Sequence, residues 1–349
     1  MRESNIGTIF LGVITFILVG AVLYWLQGIL KPFFVAIFLT VLFEPVMNGL
    51  RRLRVPKPVA VLVVLLLAFA FLFLIGLMVY ASFSSFSDQF PAYEEKFFRA
   101  LEGFLKLVHV PMQNFNQFLQ EINWTEAVQK FSIPSLVSRS IGSFVGFLAN
   151  VFLVLLFMIY ALFGREYLFF RVQRAFEEAR SERIAVMVRK IDDQIQRYLV
   201  TKTLISLATG VLATLIMMLL GVDFAVVWGV LTFLLNYIPN IGSTIATIPP
   251  ILVALFQYGF TARPVTLAAA LVALQVIMGN AVEPRVMGRS LDLSPLVVIF
   301  SLIFWGFLWG IVGMILAVPI TATIKIIAGN IESLRPLSVL MSGVRTGDE

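Results

Sequence analysis

One uncharged run in the sequence is too long for a single membrane helix and has a polar centre. Residues 224–262 contain 39 residues without a charge, and their middle is the segment NYIPNIGSTIATIPP, residues 236–250. An α-helix of that length would be about 58 Å long, whereas the hydrocarbon core of a bilayer is about 30 Å thick. Pro239 removes a backbone donor, and Gly242 permits a sharp turn. The run therefore predicts a helical hairpin.

The hairpin is expected over residues 224–258. Its arms are predicted at 224–238 and 244–258, with the turn at 239–243. Arms this short favour a re-entrant hairpin, although two full crossings remain an alternative. Turn backbone at membrane depth is tolerated only inside protein or beside water, so the turn is expected to face a cavity.

A second hairpin is predicted over residues 293–327. Residues 293–324 carry no charge, and the segment 226–243 aligns with 297–314 so that two turn glycines coincide. The residues expected to form or follow this second bend are Gly306, Gly310, Gly313 and Pro319. Paired, broken hydrophobic segments of this kind point to the binding site of a transporter.

The remaining apolar runs predict an all-α, polytopic transmembrane bundle. Uncharged runs of spanning length are found at 4–30, 59–81, 140–164, 203–222 and 264–282. Only 13% of the residues are charged, about half the share in soluble domains. Outer-membrane strands alternate polar and apolar residues, which these runs do not. The chain has no cysteine and therefore no disulfide or thiolate metal site.

The distribution of charge predicts the orientation in the membrane. Residues 51–58 carry four basic residues and no acid, and residues 165–202 carry nine basic and six acidic residues. Both segments are predicted to be cytoplasmic, which explains the net charge of +6 without nucleic acid. The segment 82–139 is then outside, both termini are cytoplasmic, and the two hairpins enter from opposite sides.

These assignments divide the chain into segments. The predicted order is N-terminal membrane helices 1–81, an extracytoplasmic amphipathic segment 82–139, a membrane helix 140–164, a cytoplasmic amphipathic segment 165–202, a transport core 203–330 and a cytoplasmic tail 331–349. In the cytoplasmic segment, apolar residues step by four and three: Ile184, Val188, Ile191, Ile195 and Tyr198. This seam is typical of helix pairing, either within one protomer or between subunits.

The chain resembles a known bacterial family from its first helix to about Ile327, by pattern in the N-terminal half and by specific motifs in the C-terminal half. The segments that carry the resemblance are NYIPNIGSTIATIPP and NAVEPRVMGRSLDLSPLVVIFSLIFWGFLWGIVGMILAVPITATIKII. They look like the signature of the autoinducer-2 exporter family of permeases. The resemblance implies a homo-oligomeric transporter of the bacterial inner membrane. Members are associated with export of the quorum-sensing signal autoinducer-2, others with exchange of sodium or lithium for protons.

The first hairpin turn supplies most of the candidate binding residues. They are Asn236, Pro239, Asn240, Gly242, Ser243, Thr244 and Thr247. Their amides and hydroxyls could hold a small polyol or replace the water around a cation, whereas the proline and glycine are structural. The alternative is that these groups only cap broken helices. Binding is the preferred interpretation because polar groups at membrane depth are costly and usually functional.

Five further polar residues are candidates for lining or coupling. Gln275 is expected within the crossing helix, and Asn280, Glu283 and Arg285 at its end. Glu283 is either a proton or cation site or an interfacial cap paired with Arg285, and the cap is slightly preferred. Glu44 lies near the predicted inner boundary and could line a path or pair with basic neighbours.

The predicted function is secondary transport of a small polar solute, such as autoinducer-2, by alternating access. The sequence has no phosphate-binding G-x-x-x-x-G-K-[ST] loop, so an ion gradient or the solute gradient must drive transport. Alternatives are a monovalent cation/proton antiporter and, less favoured, a passive channel. No H-E-x-x-H or G-x-S-x-G motif supports an enzyme. No cofactor or metal is expected, and the partners are the substrate, membrane lipid and further copies of the chain.

Overall fold

The computed structural model of the protein describes residues 3–78, 96, 144–175, 178–239, 241–287 and 291–343. These residues are almost entirely helical, and the β pairing among them is one isolated bridge between Leu293 and Ser342. The prediction of an all-α chain is confirmed. Apart from Lys96, the predicted extracytoplasmic segment 82–139 lies outside the described residues, as does Asn240.

The N-terminal region forms four helices whose breaks differ from those expected. They are α1 (Glu3–Trp25), α2 (Gln27–Leu42), α3 (Glu44–Arg52) and α4 (Lys57–Met78). Helices α1 and α2 meet at Leu26 with a bend of 84° between them. The run 4–30 was predicted as one span, so this bend interrupts it, and Pro32 lies inside α2.

Glu44 begins a short helix, α3, which a break at Phe43 separates from the apolar helix α2. Pro45 occupies its first turn, where a missing N–H costs no intrahelical bond. Glu44 lies in the first turn and Arg51 and Arg52 lie in the last, which complements the helix dipole at both ends. Glu44 is therefore the first residue of a short amphipathic helix and does not lie within a span.

Two long helices follow the undescribed segment. Helix α5 comprises Phe144–Ala175, and α6 comprises Glu178–Leu219. The 42 residues of α6 make it about 63 Å long, so it combines the predicted cytoplasmic segment with the following apolar run. The predicted seam of α6 is buried or half-buried within the chain itself.

The C-terminal region contains both hairpins. The first is α7 (Ala225–Leu235) with α8 (Ile241–Tyr258); α9 (Ala262–Ile277), a π-helical turn (Met278–Val282) and α10 (Glu283–Met287) follow. The second is α11 (Pro295–Trp309) with α12 (Ile311–Gly329), followed by a 3₁₀ turn (Glu332–Leu334) and α13 (Arg335–Leu340).

Each hairpin has one short and one long arm, whereas the arms predicted for the first hairpin were of equal length. Helices α7 and α11 contain 11 and 15 residues, about 16 and 22 Å. Helices α8 and α12 contain 18 and 19 residues, about 27 and 28 Å, which approaches the thickness of a hydrocarbon core. Among the described residues, six helices are long and apolar enough to span, or seven if the bent α1–α2 pair is one span.

The chain divides into two compact units. The first draws its described residues from 1–68, 151–200 and 289–349, and the second from 69–150 and 201–288. In the first unit, the second hairpin packs on the N-terminal helices: the Trp309 indole donates to the Leu23 carbonyl, 3.2 Å away, and its ring lies 5.3 Å from that of Phe34. In the second unit, α6, α8 and α9 share an apolar core that includes Met217, Val253 and Leu271.

Candidate transport site

The tip of the first hairpin is buried against α6. The side chains of Asn236 and Tyr237, which follow α7 directly, are 7% and 5% exposed. The Asn236 amide donates to the Ser206 hydroxyl across 3.0 Å, and the hydroxyls of Tyr237 and Thr203 are hydrogen-bonded at 2.7 Å. The tip is therefore attached to α6 by two side-chain hydrogen bonds.

An ion pair lies beside these contacts on the same turn of α6. The Lys202 ammonium is 2.5 Å from the Glu283 carboxylate, and Lys202 is 1% exposed, whereas the Glu283 side chain is 24% exposed. Arg285, the expected partner of Glu283, is at the surface. Glu283 is thus bound to a buried lysine of another helix.

A π-helical turn places Glu283 in this position. Residues Met278–Val282 adopt the wider turn immediately before Glu283. Pro284 explains it, because proline has no N–H for the carbonyl of Asn280 and its ring would collide with that carbonyl in a regular α-helix. Single π turns inside α-helices occur frequently at functional sites.

The other polar residues predicted around the turn are more dispersed. Thr247 is buried and donates to the carbonyl of Thr244 in its own helix, as the capping alternative expects. Ser243 and Pro239 are half-buried, and Thr244 is at the surface. Asn236, in contrast, reaches another helix, α6, through its side-chain hydrogen bond to Ser206.

Gly242 lies in the first turn of α8, and its role differs from the one expected. It does not have a positive φ. An added Cβ would lie 1.8 Å from the carbonyl oxygen of Leu235, so glycine is needed because the two arms approach closely. Gly313 has the same role in the second hairpin, where a Cβ would lie 2.0 Å from the Trp305 oxygen. The two glycines that the sequence alignment pairs therefore both lie where the arms of a hairpin approach closely.

The second hairpin turns at a single residue. Gly310 separates α11 from α12 with φ 68° and ψ −146°, a conformation essentially restricted to glycine. Gly306 packs against Met314, whose Cγ would lie 2.9 Å from an added Cβ. Pro319 is buried within α12, so the bend lies at Gly310 and not at the proline.

The two arms of each hairpin are also joined at the end opposite to the turn, which we call the base. In the first, the Tyr258 hydroxyl donates to the Gly221 carbonyl across 2.5 Å, and the Gln257 amide oxygen accepts from the Asp223 N–H. In the second, the Lys325 ammonium lies 2.9 Å from the Asp292 carboxylate. The chain segment 341–343 also binds this base: Ser294 N–H donates to the Met341 carbonyl, and Gly343 N–H donates to that of Asp292.

The remaining candidates do not join the hairpin tip. Gln275 is half-buried in α9, and Asn280 is at the surface of the π turn. Glu44 belongs to the first unit, where it lines a cleft with Arg51 and Asp192.

Four residues of this polar cluster were not predicted from the sequence: Lys202, Thr203, Ser206 and Tyr237. Lys202 had been treated as the last basic residue of a cytoplasmic segment. However, it continues the apolar seam, four residues after Tyr198. A lysine at a seam position requires a buried partner, and this signal could have identified it.

Comparison with known proteins supplies the family. The sequence model of a protein family, described as AI-2E family transporter, matches residues 13–333. The chain belongs to this AI-2E transporter family. Together with the apolar helices, membership identifies a multi-pass transport protein of the inner membrane.

Relatives of this AI-2E family chain match it over almost its whole length. The AI-2 transport protein TqsA of Escherichia coli K12 is 34% identical over 337 residues, which cover 96% of this chain and 94% of TqsA. A relative from Haemophilus influenzae is 33% identical over 331 residues, 93% of each chain. A relative from Borreliella burgdorferi is 31% identical over 320 residues, 91% of this chain and 85% of the relative.

Proposed function

We propose that this AI-2E family transporter is a secondary transporter of a small polar solute. The name of the TqsA relative suggests autoinducer-2 as an example of such a solute. The observation that carries the proposal is the polar cluster on one turn of α6. Three hydroxyls, a buried ammonium, a hairpin amide and a carboxylate meet there between otherwise apolar helices. Polar groups are costly at membrane depth and usually mark a transport pathway.

The chemistry of this cluster suits a compact solute with several hydroxyl groups. Asn236 and Ser206 can each donate and accept, as can Thr203 and Tyr237. A diol can therefore replace the two hydrogen bonds that hold the hairpin tip on α6. The closed tip keeps these groups satisfied when no solute is bound, which avoids the cost of leaving them unpaired.

The energy needed to open the tip fits a transport cycle. Two hydrogen bonds contribute about 2 kcal/mol to the closed form. A solute that binds the open form more tightly by a few kcal/mol can shift this equilibrium. In the alternating access that we propose, the tip of each hairpin occludes one side of the membrane in turn.

A monovalent cation/proton antiporter is the second candidate, and Glu283 favours it. A sodium or lithium ion at this carboxylate would have to displace the Lys202 ammonium from 2.5 Å. A proton would instead neutralise the carboxylate and release the same lysine. Either event would couple ion binding to the junction between α6 and the π turn.

Flux into proteoliposomes tests these functions. Purified full-length chain is reconstituted, and uptake of autoinducer-2-like furanosyl diols, sodium and protons is measured in parallel. We expect saturable diol flux that falls about fivefold in Tyr237→Phe, which removes one hydroxyl. Thr266→Val is the matched control, because this threonine donates only to its own helix at the surface.

Other outcomes identify the alternatives. Sodium- or lithium-driven proton flux without any diol flux would establish the antiporter. Diol flux that does not saturate would indicate a channel. An equal loss of flux in Tyr237→Phe and Thr266→Val would refute the location of the site at the hairpin tip.

A further inference from the structure

The first unit contains a half-open cleft that the transport site does not use. Its volume is about 740 Å³. Its walls are largely apolar and come from α2, α3, α5 and α6, with Lys57 contributed by the start of α4. The apolar lining includes Ile37, Val41, Met47, Leu162, Ile184 and Val188.

Charged side chains are grouped in the lining of the cleft. Three are basic, Arg51, Lys57 and Arg189, and two are acidic, Glu44 and Asp192. The net charge of this set is +1. A ligand with one negative charge would therefore be neutralised there.

The ends of apolar helices place this charged group near the headgroup layer of a bilayer. Lys57 is the first residue of α4, whose 22 residues are apolar enough to span. Gly164, also in the lining, ends the apolar stretch Gly146–Gly164 of α5. Tyr160 is 70% exposed in the lining, and the Lys57 ammonium lies 5.6 Å from the centre of the Phe163 ring. Aromatic and basic residues are typical of this depth.

We propose that the cleft binds an anionic phospholipid that carries a single negative charge, of the phosphatidylglycerol type. The phosphodiester lies among Arg51, Lys57 and Arg189, since guanidinium groups bind phosphate oxygens in pairs. The adjoining acyl chain runs along the apolar wall. Basic pockets between membrane helices bind lipid headgroups in this way.

The experiment compares lipids on the purified full chain by native mass spectrometry and by thermal melting. Phosphatidylglycerol is expected to remain bound and to raise the melting temperature, whereas phosphatidylethanolamine and inorganic phosphate do so weakly. The double variant Arg51→Gln/Arg189→Gln should lose about 30-fold in affinity for phosphatidylglycerol. Arg51→Lys/Arg189→Lys keeps both charges but loses the paired guanidinium contacts, so its loss of affinity should be clearly smaller than that of the glutamine variant.

The neighbouring positions supply matched controls. Arg52 and Lys190 are surface residues next in sequence to the two arginines, and neither lines the cleft. Arg52→Gln/Lys190→Gln removes the same charge and should leave the affinity within about twofold of the original. If the test variant does not fold, Lys57→Gln alone should lower the affinity about fivefold.

Three results would overturn the proposal. Equal binding of phosphatidylglycerol and phosphatidylethanolamine would show that the charge is not recognised. Equal losses in the test and control variants would show only general attraction to a basic surface. Competition by inorganic phosphate at the same concentration as the lipid would identify a site for free anions.

Discussion

Replacement of Gly242 by alanine should separate the arms of the first hairpin. An ideal Cβ at this position lies 1.8 Å from the carbonyl oxygen of Leu235 and 2.9 Å from the Cβ of Ile238. Ordinary contacts begin at 3.4 Å, so the start of α8 must move by about 1.6 Å relative to the end of α7. The obstacle is backbone, which cannot rotate away as a side chain would.

A displacement of that size affects the contacts of the tip. The Asn236–Ser206 and Tyr237–Thr203 hydrogen bonds measure 3.0 and 2.7 Å, and such bonds are lost beyond about 3.5 Å. Their loss costs about 2 kcal/mol, and overpacking adds about 1–3 kcal/mol. We expect a lower melting temperature and at least a tenfold reduction in saturable flux.

The assay combines thermal melting with proteoliposome flux on the same preparation. Gly313→Ala should behave similarly, because its Cβ would lie 2.0 Å from the Trp305 carbonyl oxygen. Gly20→Ala in α1 is the control, since nothing lies within 4 Å of its Cβ, and it should be neutral or stabilising by up to about 1 kcal/mol. Normal melting and flux in Gly242→Ala would refute the close-approach argument.

Two further predictions concern charge, and a third concerns orientation in the membrane. Lys202→Met should destabilise the chain by about 3 kcal/mol because it leaves the Glu283 carboxylate without its partner, and Lys202→Met/Glu283→Gln should recover part of this in a denaturant titration. Free-energy changes of Lys202→Met and Glu283→Gln that simply add in the double variant would contradict the pairing. Glu283→Gln should abolish the pH dependence of ion-coupled flux, and a retained wild-type pH profile would exclude Glu283 as the coupling group. Glu182→Cys should react with an impermeant thiol reagent only after the membrane is opened, whereas Gln113→Cys should react in intact cells; labelling of Glu182→Cys in intact cells would invert the predicted orientation.

The hairpins could be predicted because the length of each uncharged run can be compared directly with the thickness of the hydrocarbon core. Uncharged runs of 39 and 32 residues do not fit one crossing, and proline or glycine lies near each centre. The exact turn residues could not be predicted in the same way. Several glycines lie close together in the second run, and only the backbone shows that Gly310 makes the turn whereas Gly313 allows close packing.

The breaks in the N-terminal helices illustrate the opposite case. Residues 4–30 form one uncharged run that predicts a single span, yet the helix breaks at Leu26, and Pro32 lies inside α2. Leucine carries no local signal for a break. The packing of α1 and α2 against the second hairpin, through Leu23, Phe34 and Trp309, joins residues almost 300 positions apart, which a local pattern cannot reveal.

The candidate site was only partly predictable for a similar reason. Asn236 and Glu283 stand out as polar residues within or beside apolar runs. Their partners, Ser206 and Lys202, lie 30 and 81 residues away and resemble ordinary helix residues in sequence. A lysine directly before an apolar run, such as Lys202 before residues 203–222, is expected at the membrane–water interface. In the structure Lys202 is almost completely buried.

The attachment of residues 341–343 to the base of the second hairpin has a practical consequence for protein engineering. Met341 and Gly343 each form a backbone hydrogen bond with the segment that precedes α11, beside the Lys325–Asp292 ion pair. A shortened expression version that stops after α13 would lose these backbone hydrogen bonds while keeping every apolar helix. Fluorescent reporters or affinity handles should therefore be joined beyond Gly343 through a flexible spacer.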